Sequence, residues 1–223
     1  MKRILLGLLL ISTPSWAADY YTSATAIVQI RSLLNETIAS FWTDTQLGNW
    51  IKEAVEDIST RALCLQASDT FLLVTSQYEY TDLVTGGAAG VANIVKLWGC
   101  FYVNPNDEYV GLKRIEPYQI STLPFMKPGT PKYYYHFANK IGIFPLPTST
   151  ENGQSVRVYY SYQSQTIGDL PNQYQPLTIL YTAAMAYKKE HRYAESDALY
   201  KMYLEKLNAL KQELYNPPTE IKK

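Results

Sequence analysis

The sequence predicts an α+β fold: an antiparallel four-helix core with a small antiparallel β insertion between the helix pairs. Three observations predict it. Apolar residues recur at steps of three and four from Ile27 to Ala62 and again from Leu177 to Leu214, which is the spacing of a helix with one buried face. Between them, over residues 70–165, that spacing gives way to short runs rich in Tyr, Val, Ile and Phe, separated by Gly, Pro and Asn; such runs read as strands and turns. Neither helical pair has another obvious apolar partner, so each is expected to cover the other.

The chain opens with Lys2 and Arg3, the apolar run Ile4 to Ile11, and "STPSWAAD". Basic, apolar and small-residue zones in that order resemble an export signal with a cut after Ala17. The run is too short to anchor in a bilayer. Residues 1–21 are therefore expected to form a signal-like or extended N-terminal arm. The first half of the helical core is expected over 22–69. Its first helix runs from Ala26 to Phe41, with Ile27, Ile30, Leu34, Ile38 and Phe41 on one face. Thr43 with Gln46 three residues on makes a capping box, and Asp44 suits the first turn of a second helix. Leu47, Trp50, Ile51, Ala54, Val55, Ile58 and Ala62 form its apolar stripe.

Residues 70–169 are expected to be the β-rich insertion. "TFLLVTSQYEY" is strand-like, "GGAAG" at 86–90 is a loop, and Ile94 to Val103 is a strand broken at Gly99. "NPND" is a turn, "YVGLKRI" another short strand, and "EPYQISTLP" a short helical or turn segment. Two strands meet at a turn at Asn139-Lys140, and Ser155 to Ser164 is the clearest strand. The second helical hairpin is expected over 170–215, with Leu177, Leu180, Tyr181, Ala184 and Tyr187 on its first helix. After a break near His191-Arg192 come Tyr200, Tyr203, Leu207, Leu210 and Leu214. "NPP" at 216–218 stops the last helix, and residues 216–223 are expected to be a flexible tail.

Lys plus Arg and Asp plus Glu number 20 each, so the net charge is zero. Such a chain does not draw phosphate backbones from a distance, which argues against sequence-specific nucleic-acid binding. Cys64 and Cys100 lack metal or redox spacing; they pair if the chain is exported and are otherwise small buried hydrophobes. His136 and His191 have no metal-binding companions at ligand spacing. GxSxG, HExxH and Walker patterns do not occur. Glu53, Glu56 and Asp57 could be a carboxylate pair but read as a solvated helix face. No enzymatic activity, cofactor, metal or small-molecule substrate is expected. Tyrosine, at 20 residues, is in excess, and its apolar ring with a polar tip suits interfaces. The clusters Tyr133 to Tyr135 and Tyr159, Tyr160, Tyr162 could stack on sugar rings or contact a partner chain.

Two stretches resemble the head-to-tail adaptor proteins of tailed bacteriophages. In "FWTDTQLGNWIKEAVEDI", Trp42-Thr43-Asp44 leads into Leu47, Trp50-Ile51, Glu53-Ala54 and Ile58. In "LPNQYQPLTILYTAAMAYKKEHRYAESDALYKMYLEKLNAL", Leu170-Pro171 and Tyr174 introduce a helix with Ala183-Ala184, followed by Ala194, Tyr200, Tyr203 and Leu207. The likeness covers about residues 22–215. It implies a structural virion protein of the phage neck, assembled in the host cytoplasm. Its partners would be further copies in a homo-oligomeric ring, usually of twelve, the portal protein, and a tail or nozzle protein. Double-stranded DNA would pass through the centre in passive contact. Candidate subunit or partner contacts are Tyr133, Tyr135, Tyr160, Tyr162, Asn216, Pro217 and Pro218. The alternative is an exported periplasmic or secreted binding protein whose Tyr-rich β region recognises a glycan or a surface partner.

Overall fold

The computed structural model describes residues 22–36, 41–80, 94–122, 127–137 and 140–215. The signal-like arm, the GGAAG loop, Asn139 of the expected turn, and Asn216, Pro217 and Pro218 lie outside them.

Among the described residues, four α-helices and two four-stranded sheets make up the fold. The first helix, α1, spans Ser23–Leu33 and is shorter than the periodicity suggests. Thr22 and Thr25 form its capping box. At its other end Asn35 takes a left-handed conformation (φ 56°). The Glu36 N–H then bonds the Arg31 carbonyl at 2.9 Å, and the Asn35 N–H bonds that of Ser32 at 3.3 Å. This Schellman pattern ends the helix before the apolar spacing does. Ile38 lies outside the described residues, and Phe41 is exposed.

Helix α2, Asp44–Ala62, starts as its sequence dictates: the Thr43 hydroxyl accepts from the Gln46 N–H, and the Gln46 side chain accepts from the Thr43 N–H. Leu47, Ile51, Ala54, Val55, Ile58 and Ala62 are buried on one face. Helix α3, Gln175–Lys189, is buried on more than one side, because α1, α2 and α4 (Tyr193–Tyr215) all pack against it. The break between α3 and α4 is a second Schellman turn: His191 is left-handed (φ 61°), and Arg192 N–H bonds the Tyr187 carbonyl at 3.0 Å. The helical core gathers Ile30, Trp42, Ile51, Ile58, Tyr174, Leu177, Tyr203 and Leu207.

The β region corrects the predicted fold class. It is not a small insertion on an antiparallel four-helix core; it is a second structural half with its own core. The strands are β1 (Gln66–Leu72), β2 (Glu79–Tyr80), β3 (Ile94–Val103), β4 (Tyr109–Gly111), β5 (Lys113–Arg114), β6 (Tyr133–Phe137), β7 (Lys140–Phe144) and β8 (Ser155–Tyr162). One sheet has the order β1-β8-β3-β4 and the other β2-β7-β6-β5. Among the described residues, the strands pair antiparallel except β5 with β6, which pair parallel. Inward residues from both sheets meet in one cluster: Phe71, Leu97, Cys100, Tyr102, Val156, Val158 and Tyr160 from the first, Tyr80, Tyr134, Ile141 and Ile143 from the second. The physical reason is strand periodicity. Alternate residues of β8 face inward, so Val156, Val158 and Tyr160 build a continuous apolar face that one sheet alone cannot cover.

The expected break at Gly99 is a register irregularity between Leu97 and Gly99 against β8. The NPND turn is closed by Asn104, whose side-chain oxygen accepts from the N–H of Asn106 and of Glu108, each at 2.9 Å. Residues 117–122 form a short 3-10 helix. Tyr162 joins the two halves, touching both the helical core and the sheet core. Its N–H bonds the Leu65 carbonyl at 3.1 Å, just beyond the left-handed Leu63 that ends α2.

Candidate assembly surface

The outward face of the first sheet carries an aromatic groove. Trp98 and Phe101 come from β3, Tyr109 from β4 and Tyr159 from β8; with Gly99 they line a cavity of about 460 Å³. A second hollow of about 390 Å³ adjoins it, sharing Trp98 and Tyr159 and reaching Gln66 and Ser68 of β1. The register irregularity at Leu97–Gly99 lets both Trp98 and Phe101 face outward on β3, while Leu97, Cys100, Tyr102, Val158 and Tyr160 point into the core. The groove owes its depth to glycine. Gly99 lies opposite Tyr159, and Gly111 opposite Phe101. A Cβ on Gly99 would come within 3.2 Å of the Phe101 ring.

The rings hold one another. Phe101 and Tyr159 meet edge to face with centroids 5.6 Å apart. The Trp98 indole N–H donates to the Ser161 hydroxyl at 2.7 Å. Cations rim the groove: the Lys96 Nζ sits 3.9 Å from the centroid of Trp98, and the Arg157 guanidinium 5.5 Å from that of Tyr109. Trp98, Tyr109 and Tyr159 nevertheless remain 38%, 52% and 40% exposed. Such a surface offers flat apolar faces with a positive rim, suited to binding rings and apolar chain.

The tyrosines singled out from sequence separate into distinct roles. Tyr160 is 1% exposed and belongs to the sheet core. Tyr135 is 4% exposed; its hydroxyl donates to Glu79 at 3.1 Å, and burial together with that carboxylate pushes its pKa up to about 12. Glu79 is also held by Lys140 at 2.9 Å, which keeps its carboxyl below the usual range. Tyr162 is the bridge between the two cores, and burial raises its pKa. Tyr133 is half-buried beside its pairing partners Lys113 and Phe144. The structure does not bring these four to one surface patch. Trp98, Phe101 and Tyr109 escaped the sequence reading. No simple alternation marks them, because the register irregularity at Leu97–Gly99 changes which residues of β3 face outward, and that is legible only once the strand pairing is known.

The acidic group on α2 does interior work. Asp57 accepts from the Tyr203 hydroxyl and from Arg61 Nε, the latter at 2.7 Å, tying α2 to α4. Burial and this bond drive the Tyr203 hydroxyl pKa far up. Glu56 accepts from the Gln165 amide. His136 is half-buried on β6, and burial with nearby Arg114 lowers its pKa. His191 serves the α3–α4 turn and contacts the Tyr193 hydroxyl at 2.9 Å. Among the described residues, no group of three or more His, Cys, Asp or Glu is placed to hold a metal ion, and no helix is long and apolar enough to cross a membrane.

Comparison with known proteins gives a family. The family model described as SU10 adaptor protein matches residues 21–220. No curated protein sequence matches the chain. Among solved structures, a chain from the neck of an empty GTA particle, computed with C6 symmetry, is 12% identical; the match covers 75% of this chain and 77% of that one at a TM-score of 0.31. A likeness of that size carries no argument, whereas the family match takes in both helical pairs and both sheets. The chain belongs to the SU10 adaptor protein family.

Proposed function

We propose that the chain is a structural component of a phage neck, a head-to-tail adaptor that joins the portal to the tail. Copies stand side by side in a ring, twelve in number if the ring follows the portal's usual symmetry, with genome DNA passing passively through the centre. The protein's task is to be contacted on several sides, and it performs no turnover. The observation that supports this reading is the family match over residues 21–220. Ring contacts of this kind are heterologous: one surface of a subunit meets a different surface of the next. A fold of two separately cored halves bridged by Tyr162 gives each subunit two packed faces to present. The zero net charge agrees with a channel that lets DNA slide.

The test is to mix the purified chain with its cognate portal and follow the products by native mass spectrometry and electron microscopy. The reading expects a portal-bound ring of this subunit. A chain that stays monomeric and ignores the portal, yet binds glycans, would instead favour the exported binding protein.

A further inference from the structure

The first sheet ends in β1 on one side and β4 on the other, and the two edges match. We propose that they pair between copies of the chain: β1 of one copy lies antiparallel to β4 of the next, so the sheet continues from subunit to subunit. The pairing rests on the neck reading, which needs one contact repeated around a ring.

The first support is the hydrogen-bond register. At the two ends of β1 the Tyr162 N–H bonds the Leu65 carbonyl at 3.1 Å, and the Leu73 N–H bonds the Gln154 carbonyl at 2.8 Å. Odd-numbered residues of β1 therefore serve β8. An antiparallel ladder alternates, so Gln66, Ser68, Thr70 and Leu72 turn their N–H and C=O groups away from it. Strand β4 bonds β3 through even-numbered residues: the Asn104 N–H reaches the Glu108 carbonyl at 3.0 Å, and the Leu112 N–H the Cys100 carbonyl at 2.9 Å. Tyr109 and Gly111 turn their backbone groups outward. Among the described residues, no strand takes up either row.

The second support is that these edges are unguarded. An edge that stays single is commonly blunted by Pro, by Lys or by being very short. The second sheet is blunted in this way, since its edges β2 and β5 have two residues each and β5 is Lys113-Arg114. Strand β1 runs for seven residues without Pro, Lys or Arg, and β4 has none either. One local bond interrupts the β1 row: the Asp69 carboxylate accepts from the Thr70 N–H at 2.7 Å. Setting Tyr109 opposite Leu72 keeps that bond. Tyr109 and Leu72 then exchange two hydrogen bonds, and the Gly111 N–H donates to the Thr70 carbonyl. The same register lays Tyr109 beside Leu72, which is 60% exposed, and the exposed Val110 beside Phe71.

Topology supplies the third support. Strands β1 and β3 run one way, β8 and β4 the other. With four alternating strands, β4 is antiparallel to β1 of an identically oriented neighbour, so a head-to-tail repeat needs no reversal. The aromatic hollows join as well: the one walled by Tyr109 at β4 meets the one reaching Gln66 and Ser68 at β1.

The test uses two full-length chains, Leu72→Cys and an isotopically heavy Tyr109→Cys, assembled together on the portal and oxidised. Directly opposed residues of such a pair have Cα atoms about 5.5 Å apart, within reach of a disulfide. Disulfides joining heavy to light chains are expected, with none when either chain is assembled alone. A ring that forms without the 72–109 disulfide overturns the pairing and leaves the neck reading standing; no ring from the wild-type chain overturns both. Self-cross-linking of the Leu72→Cys chain would mark a two-fold β1–β1 contact and also overturns the pairing. Leu72→Lys supplies the missing guard at an exposed position. Its ring yield should fall at least tenfold while the thermal midpoint of the free subunit stays unchanged, and undiminished assembly overturns the proposal.

Discussion

Replacing Gly142 by alanine probes how the second sheet is built. Gly142 sits in β7 between two partners, Glu79 of β2 and Tyr135 of β6. The Tyr135 ring lies directly across it, and a Cβ at position 142 would stand 2.0 Å from two ring carbons. Ordinary carbon contacts are near 3.5–4.0 Å, so the ring must move by roughly 1.5 Å or more. Moving it disturbs a side chain only 4% exposed and breaks the bond to Glu79. Overpacking costs about 1–3 kcal/mol and the partly exposed hydrogen bond about 0.5–1 kcal/mol, so Gly142→Ala should destabilise by roughly 2–3 kcal/mol. In a domain of this size that lowers Tm by roughly 4–12 °C. Urea unfolding followed by tyrosine and tryptophan fluorescence reads the loss. The decisive control is the cycle with Tyr135→Val: with the ring gone, Gly142→Ala should cost about 1–2 kcal/mol less than in the wild type. A Gly142→Ala loss below about 0.5 kcal/mol, the range of a neutral surface change, would refute the packing argument.

Arg31→Met should destabilise by about 2–3 kcal/mol, because the buried guanidinium bonds the Trp42 carbonyl at 2.7 Å, Asp44 at 2.6 Å and Glu36 at 3.2 Å; thermal unfolding measures it. Burial would raise the Glu151 carboxyl, but bonds from Thr148 and Thr130 overcome it and hold the pKa below the usual range. Its folded pKa being depressed, its contribution is present above the unfolded value of about 4.3 and is lost as pH falls through the folded value. Glu151→Gln should therefore weaken the protein at pH 7 by about 1–2 kcal/mol and flatten the loss of stability on acidification, as read by urea midpoints across pH 3–7. Both cysteines are free; burial pushes the Cys64 thiol up to about 11 and raises that of Cys100 further. A disulfide reagent at pH 8 should label neither in the native chain and both after unfolding; rapid native labelling of Cys100 would contradict its burial.

What the sequence made legible follows the range of the interactions. The α2 start was readable because a capping box is complete within Thr43 to Gln46. The break at His191-Arg192 was visible too, although nothing local announced a left-handed histidine. The end of α1 is not legible, since the Asn35 turn competes with apolar spacing that continues to Phe41. The size of the sheet half is hidden for a similar reason. Tyr80 and Phe71 lie nine residues apart in one apparent strand, yet belong to different sheets whose rings meet at 4.6 Å. The aromatic groove depends on β3, β4 and β8 lying side by side, and Trp98, Tyr109 and Tyr159 share no sequence pattern. Tyr160 and Tyr135 read as surface contacts because strand alternation fixes which residues share a face but leaves open which face is buried.

Cryo-electron microscopy of purified particles, with mass spectrometry of the same sample, tests the neck assignment most directly. The account predicts a ring of this fold between portal and tail, built from chains found in the particle. A chain missing from particles and recovered from the periplasm with Ala18 as its first residue would contradict it.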